Sequence, residues 1–221
     1  MDQIHDDINQ LLASQPKEYL IELQETFNAQ AKAFKKEPDK LDAVFDIHEK
    51  IDKTNAEYFK GKAAVSCKKG CAHCCHIQVK VFEPEADLIL EYCQDNDITI
   101  DMDRLEKQLG YDEFTYMLNP HRRCVFLADD NTCKVYDVRP GSCRNYFVTS
   151  PPDDCNTYTN SRGKVLSVMN LKAYALVMSM AESCKMDHLQ QFLLNRLKQK
   201  NGKYTVKTIQ QVSTESKNGA G

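Results

Sequence analysis

Four thiols fall within nine residues in the run CKKGCAHCCH, where Cys67, Cys71, Cys74 and Cys75 make a CxxxCxxCC pattern. Sulfurs at such short spacing suit a metal held by thiolates, and Gly70 permits the tight backbone path that turns successive side chains toward one point. A second group follows after 48 intervening residues: Cys124, Cys133 and Cys143 in RRCVFLADDNTCKVYDVRPGSCRNYF, then Cys155 in PPDDC. Asp129, Asp130 and Asn131 predict a turn that brings Cys124 and Cys133 together. Pro140–Gly141 predicts another just before Cys143. The expected site is two halves of a metal clip carried on turns, with eight candidate ligands.

Charge placement points to thiolates rather than thiols. Lys68, Lys69, Arg122, Arg123, Lys134, Arg139 and Arg144 all lie within four residues of a candidate ligand. Positive neighbours lower a cysteine's pKa and offset the negative charge of a thiolate site. Taken singly, each reads as a solvated loop charge. Arg139 and Arg144 stand out, because a planar guanidinium beside a turn can donate to sulfur or to a bound anion, and they are the expected cofactor-binding residues.

The elements that must position these cysteines are helical. Apolar residues recur at helical spacing before Phe59, through Ile4, Ile8, Leu11 and Leu12, then Leu20, Leu23, Phe27 and Phe34, then Leu41, Val44, Phe45, His48 and Ile51. Pro16 and Pro38 mark the breaks. A second helical block is predicted from Val168 to Lys200, with Leu171, Tyr174, Ala175, Met178, Leu189, Phe192, Leu193 and Leu197 as its buried stripe. Between them, residues 61–163 hold nine of the ten cysteines and five of the seven prolines, which marks a loop-rich segment. Gln78 to Phe82 alternates like a short strand, and Pro84 predicts a helix through Cys93 with proline at its first position. The chain therefore divides into N-terminal helices (1–60), a cysteine-rich metal-binding region (61–163), C-terminal helices packing on the same domain (164–200) and a polar, flexible tail (201–221). The fold class is mainly α, a helical scaffold flanking a cysteine-ligated segment with at most a short β element.

Composition narrows the function. A chain of 221 residues can bury a core without disulfides, so ten cysteines call for another reason. The acidic start MDQIHDDINQ lacks a secretory pattern, and no apolar run is long enough to span a membrane. A cytoplasmic, reducing setting is expected, where dense cysteines mean metal or redox chemistry. A net charge of −3 gives no long-range pull toward nucleic acid or an anionic membrane, and neither partner is expected. With eight glycines there is no GxGxxG and no phosphate loop. Cys93 and Cys184 sit at helical positions and read as small core residues. His48 continues an apolar stripe, and His73 and His76 read as exposed loop residues beside the cluster.

The ordered set CxxxCxxCC, then CxFL, an acidic turn and CxxYxxRPxxCRxY resembles the YkgJ-type cysteine-cluster family of zinc- or iron-chelating proteins. The matching residues are Cys67, Cys71, Cys74, Cys75, Cys124, Phe126, Leu127, Cys133, Tyr136, Arg139, Pro140, Cys143, Arg144 and Tyr146, with Cys155 a looser match. The resemblance implies metal chelation. It also extends, through a similar cysteine cluster, to flagellin lysine-N-methylases.

Eight thiolates suffice for two four-coordinate zinc ions, or for one four-cysteine iron–sulfur (4Fe-4S) cluster with the other cysteines structural. Sulfurs exceed the needs of one zinc and no histidine is placed as a ligand, which tips the expectation toward iron–sulfur. The leading reading is a metal-binding protein without turnover, its partner the metal or cluster. The alternatives are an enzyme that uses the site on a protein substrate, such as an S-adenosylmethionine-dependent lysine methylase, and a thiol redox sensor. The spacing of Cys67, Cys71 and Cys74 also matches radical S-adenosylmethionine enzymes, but the chain after Cys74 is too short for their barrel and does not alternate strand with helix.

Overall fold

Pro16 and Pro38 divide the N-terminal segment as the periodicity predicts. In the computed structural model, which describes residues 9–61, 65–156, 158, 165–199 and 204, residues 9–13 are helical. Helix α1 spans Lys17–Lys36 and α2 spans Lys40–Phe59. Pro38 disfavours helical backbone at Glu37, which is extended at φ −68° and ψ 120°. Asp39 then caps α2, its carboxylate accepting from Leu41 N at 2.8 Å and Asp42 N at 3.3 Å. The buried face of α2 is Val44, Ile47, His48, Ile51 and Asn55, the spacing of a single helical stripe. Its lower end is polar, which matters for the site. Ile4 and Ile8 lie outside the described residues.

Strand β1 (Lys80–Phe82) runs directly into α3 (Glu83–Asp95). Pro84 occupies the second helical position rather than the predicted first, because Glu83 already has helical backbone. Short helices α4 (Met102–Lys107), α5 (Glu113–Tyr116) and α6 (Gly141–Arg144) follow, the last carrying Cys143. Pro140–Gly141 thus opens a helical turn where a plain reverse turn was expected.

The predicted helical block from Val168 to Lys200 is interrupted. Helix α7 spans Leu171–Met178 and α8 spans Leu189–Leu197, with strand β4 (Met186–His188) between them. Strand β4 pairs antiparallel with β1, Phe82 opposite Met186 and Lys80 opposite His188. A second ribbon joins β2 (Phe147–Val148) to β3 (Ser167–Val168). Strand β1 falls in the alternating stretch Gln78–Phe82, whereas β2, β3 and β4 are too short to carry a readable period and depend on their distant partners. The architecture remains mainly α.

Two large cores hold these elements, and a smaller cluster of Leu23, Leu171 and Ala175 joins α1 to α7. In one, Phe34, Ala43, Val44, Ile47 and Ile51 of the N-terminal segment meet Phe82, Ala173, Leu176, Val177 and Met180. In the other, α3, α4 and α8 enclose Val125, Phe126, Val135 and Val138, the apolar residues interleaved with the second cysteine group. Cys124 and Cys133 border that core. Cys93 is 1 % exposed within it, as expected of a packing residue, and Cys184 is half-buried against the first core. The stretch 201–221 lies outside the described residues except Tyr204, which is buried against the second core.

Candidate metal centre

The first cysteine group is built on a turn and a single 3-10 coil. Gly70 has φ +86°, a left-handed conformation that a side chain would strain, and the Cys71 amide donates to Lys68 O at 2.9 Å. The 3-10 turn His73–His76 then presents Cys74 and Cys75. In the second group, the acidic turn closes as predicted. Ala128 N donates to Thr132 O at 2.9 Å, Asn131 takes φ +62°, and Leu127 bridges to Cys133.

Three tethers bring the groups together. Cys124 N donates to Cys75 O at 2.8 Å. Ser66 N donates to Val148 O at 2.8 Å, tying the approach to Cys67 to the strand that follows Cys143. The 3-10 turn Pro152–Cys155 packs on the 3-10 turn His73–His76, which carries Cys155 to the same face. All ten cysteines are free thiols.

The candidate thiols influence one another's ionisation in two sets, and Cys74 acts on both. Cys155 is within reach of Cys71, Cys67 and Cys74, and Cys67 of Cys71 and Cys74. Cys143 is within reach of Cys124 and Cys133, Cys75 of Cys124 and Cys143, and Cys124 of Cys133. Cys74 in turn acts on Cys124, Cys133 and Cys143. Among the described residues no group of three or more His, Cys, Asp or Glu side chains is placed so that it could hold a metal ion as it stands. The thiols are a gathered, open set.

Cys74 and Cys143 keep solvent-accessible surface although protein packs closely around each. Both therefore lie at the protein surface rather than in a sealed core. A hydrogen bond from the Cys75 thiol lowers Cys74 to about 7, and the same bond, with burial, holds Cys75 protonated. Burial pushes Cys124 up to about 11 and Cys143 well above its ordinary value, with the neighbouring thiols adding to the shift at Cys143. Cys67, Cys133 and Cys155 are raised by burial too. Cys74 is thus inclined to ionise near neutral pH while Cys67, Cys75, Cys124, Cys133, Cys143 and Cys155 hold their protons. A cation with affinity for thiolate would supply the charge that stabilises the rest, and the donor set fits zinc or iron.

The cationic neighbours have partners of their own. The Arg144 side chain is 3 % exposed and points inward. It donates to Arg139 O at 2.7 Å, to Asp137 O and to the Asp52 carboxylate of α2. Arg139 lies 3.9 Å over the Tyr136 ring and 3.5 Å from Asp52, and its charge eases ionisation at Cys133. Arg122 stacks 3.8 Å over Tyr158, and Arg123 donates to Ala128 O. The structure thus gives Arg139 and Arg144 protein partners that fix the loop between Cys133 and Cys143.

His73 and His76 are half-buried rather than exposed, since the 3-10 turn lays them against the protein. His76 contacts Ala72 O through Nδ1 at 3.1 Å and meets the Tyr158 ring edge-on. Both line a depression of about 300 Å³ beside the cluster. His48 is not merely part of an apolar stripe: it is 1 % exposed and its Nε2 lies 3.0 Å from Glu85 Oε1. Glu85, Asp52 and Tyr158 escaped the sequence reading. For Glu85 a signal existed, because an acidic residue three positions after Phe82, beside Pro84, is the mark of a capped helix start.

No helix among the described residues is long and apolar enough to cross a membrane. A family model described as CxxCxxCC, "Putative zinc- or iron-chelating domain", matches residues 66–185. No curated protein and no solved structure matches the chain.

Proposed function

The chain belongs to the CxxCxxCC family of zinc- or iron-chelating domains, and from that premise we propose that it holds its metal through eight thiolates arranged as two quartets. Cys67, Cys71, Cys74 and Cys155 form one quartet; Cys75, Cys124, Cys133 and Cys143 form the other. The observation that carries this reading is the joining of the two cysteine groups, by the 2.8 Å hydrogen bond from Cys124 N to Cys75 O and by the packing of the turn Pro152–Cys155 on His73–His76, although 48 residues separate Cys75 from Cys124 in the chain.

An all-sulfur donor set suits an iron–sulfur cluster, the reading placed first, and equally a four-coordinate zinc in each quartet. A cluster supplies electron exchange when bound, whereas zinc supplies a cross-link between loops. The protein's own part is to hold the thiolates on turns, offset their charge with Arg139, and keep the loop between Cys133 and Cys143 rigid through Arg144 and Asp52. The role is chelation without turnover.

Anaerobic purification with visible absorbance and elemental analysis tests this. Iron with labile sulfide and a brown colour supports a cluster, and stoichiometric zinc in a colourless protein supports the two-zinc form. Native protein without either metal, in which all ten thiols titrate freely, would sink chelation and favour a thiol redox sensor.

A further inference from the structure

A carboxylate with no solvent exposure needs a reason, and Glu85 has one beyond packing. The residue is 0 % exposed, yet both its oxygens are used. Oε2 accepts from Phe82 N at 2.8 Å, which caps α3. Oε1 accepts from Gly141 N at 2.7 Å and faces His48 Nε2 at 3.0 Å. Gly141 is the first residue of α6, and Cys143 lies two residues further on. One side chain therefore joins α2, the β1–α3 junction and the cysteine-bearing helix.

The surroundings show that α6 is held there by design of the packing rather than by its own four residues. A Cβ at Gly141 would come within 2.6 Å of Val177 Cγ2 and 3.3 Å of Ile51 Cδ1, so the helix start sits directly on α7 and α2. Asn55 donates to Arg144 O at 3.0 Å, and Ser142 Oγ to Lys80 O at 2.9 Å. His48 Nδ1 has no hydrogen-bond partner, so contact with Glu85 is the polar role of its ring. With the carboxylate as acceptor, Nε2 carries the proton.

We infer that Glu85, held by His48, is the positioning residue that presents Cys143 to the metal. The inference rests on the chelation reading and assigns the layer of residues behind one ligand. Charge and position pull in opposite directions here, which makes the idea testable. The negative charge of Glu85 opposes thiolate formation at Cys143, so a purely electrostatic role would make its removal strengthen binding. A positioning role makes its removal weaken binding, by about 10–100-fold for a residue that orients a ligand from behind.

The test uses the full chain with Glu85→Gln, which keeps the shape but replaces one acceptor oxygen by a donor. Zinc affinity is measured by chelator competition, and the alkylation rate of each cysteine in metal-stripped protein by peptide mass spectrometry. Expected are zinc binding weaker by about 10–100-fold, faster alkylation of Cys143, and unchanged rates at Cys67 and Cys155. Unchanged affinity and Cys143 rate with a lower melting temperature would reduce Glu85 to a structural role, and tighter binding would overturn the inference outright. If Glu85→Gln fails to fold, His48→Gln should keep a donor to Oε1 and behave as wild type, whereas His48→Leu should reproduce the Cys143 effect. Equal behaviour of the two His48 variants would also overturn it. Wild type that binds neither zinc nor iron would refute chelation, and the Cys143 alkylation rate in His48→Leu, where Glu85 keeps its charge, would still decide whether the Glu85–His48 pair holds Cys143.

Discussion

Gly141→Ala is the most discriminating single change outside the cysteines, because its cost can be worked from named atoms. The added methyl carbon would lie 2.6 Å from Val177 Cγ2, 3.3 Å from Ile51 Cδ1 and 3.4 Å from Glu85 Oε1. Carbon pairs pack best at about 3.5–4.0 Å, so the overlap with Val177 approaches an ångström. Ile51 is fully buried and Val177 nearly so, which leaves neither free to swing away. Overpacking of this kind costs about 1–3 kcal/mol. Val177→Ala removes the offending methyl groups and by itself costs about 1.6 kcal/mol, from two methyls at about 0.8 each. In the double variant the clash is gone, so the combined loss should fall at least about 1 kcal/mol short of the sum. Urea denaturation of all four proteins, followed by circular dichroism with and without metal, measures this coupling. Additivity within about 0.5 kcal/mol would refute the placement of α6 against α7.

Other expectations follow from the same contacts. Cys93→Ala should cost about 1–2 kcal/mol in thermal unfolding while metal stoichiometry stays unchanged, because Cys93 is a buried member of the apolar core and belongs to neither quartet; Cys143→Ser should lower the stoichiometry instead. Arg144→Met leaves the Asp137 and Arg139 carbonyls and the Asp52 carboxylate without their donor, and should cost about 2–4 kcal/mol by denaturant titration. In metal-stripped protein, Cys74 should be alkylated fastest at neutral pH, since its thiol is lowered to about 7, with Cys124 far slower. Stability of that protein should rise between about pH 7 and 9, where the folded chain ionises Cys74 before the unfolded chain does, and decline above about pH 9. Burial raises Cys124 to about 11 and Cys93 to about 12 from an ordinary 9.0, so the fold retains protons that the unfolded chain releases in that window. A denaturation midpoint that rises between pH 9 and 11 would contradict the burial of these thiols.

The sequence by itself determined the chemistry and the scaffold class. Thiols at CxxxCxxCC spacing, the positive φ at Gly70 and Asn131, and the proline breaks at Pro16 and Pro38 are local properties, set by residues a few positions apart. The two long helices were legible for the same reason, since a stripe of twenty residues repeats its signal several times. Tertiary structure alone decided which thiols share a neighbourhood, because Cys155 reaches Cys67 and Cys71 only through the packing of two 3-10 turns. It also decided the interruption between α7 and α8, where β4 exists only as a partner of β1. The same holds for Arg144 and Glu85. An arginine beside a cysteine and a glutamate after a proline look like solvated charges in sequence, and each becomes a fixed contact only when α2 brings Asp52 and His48 against it. Burial turns such charges into specific bonds, and burial is a property of the whole fold.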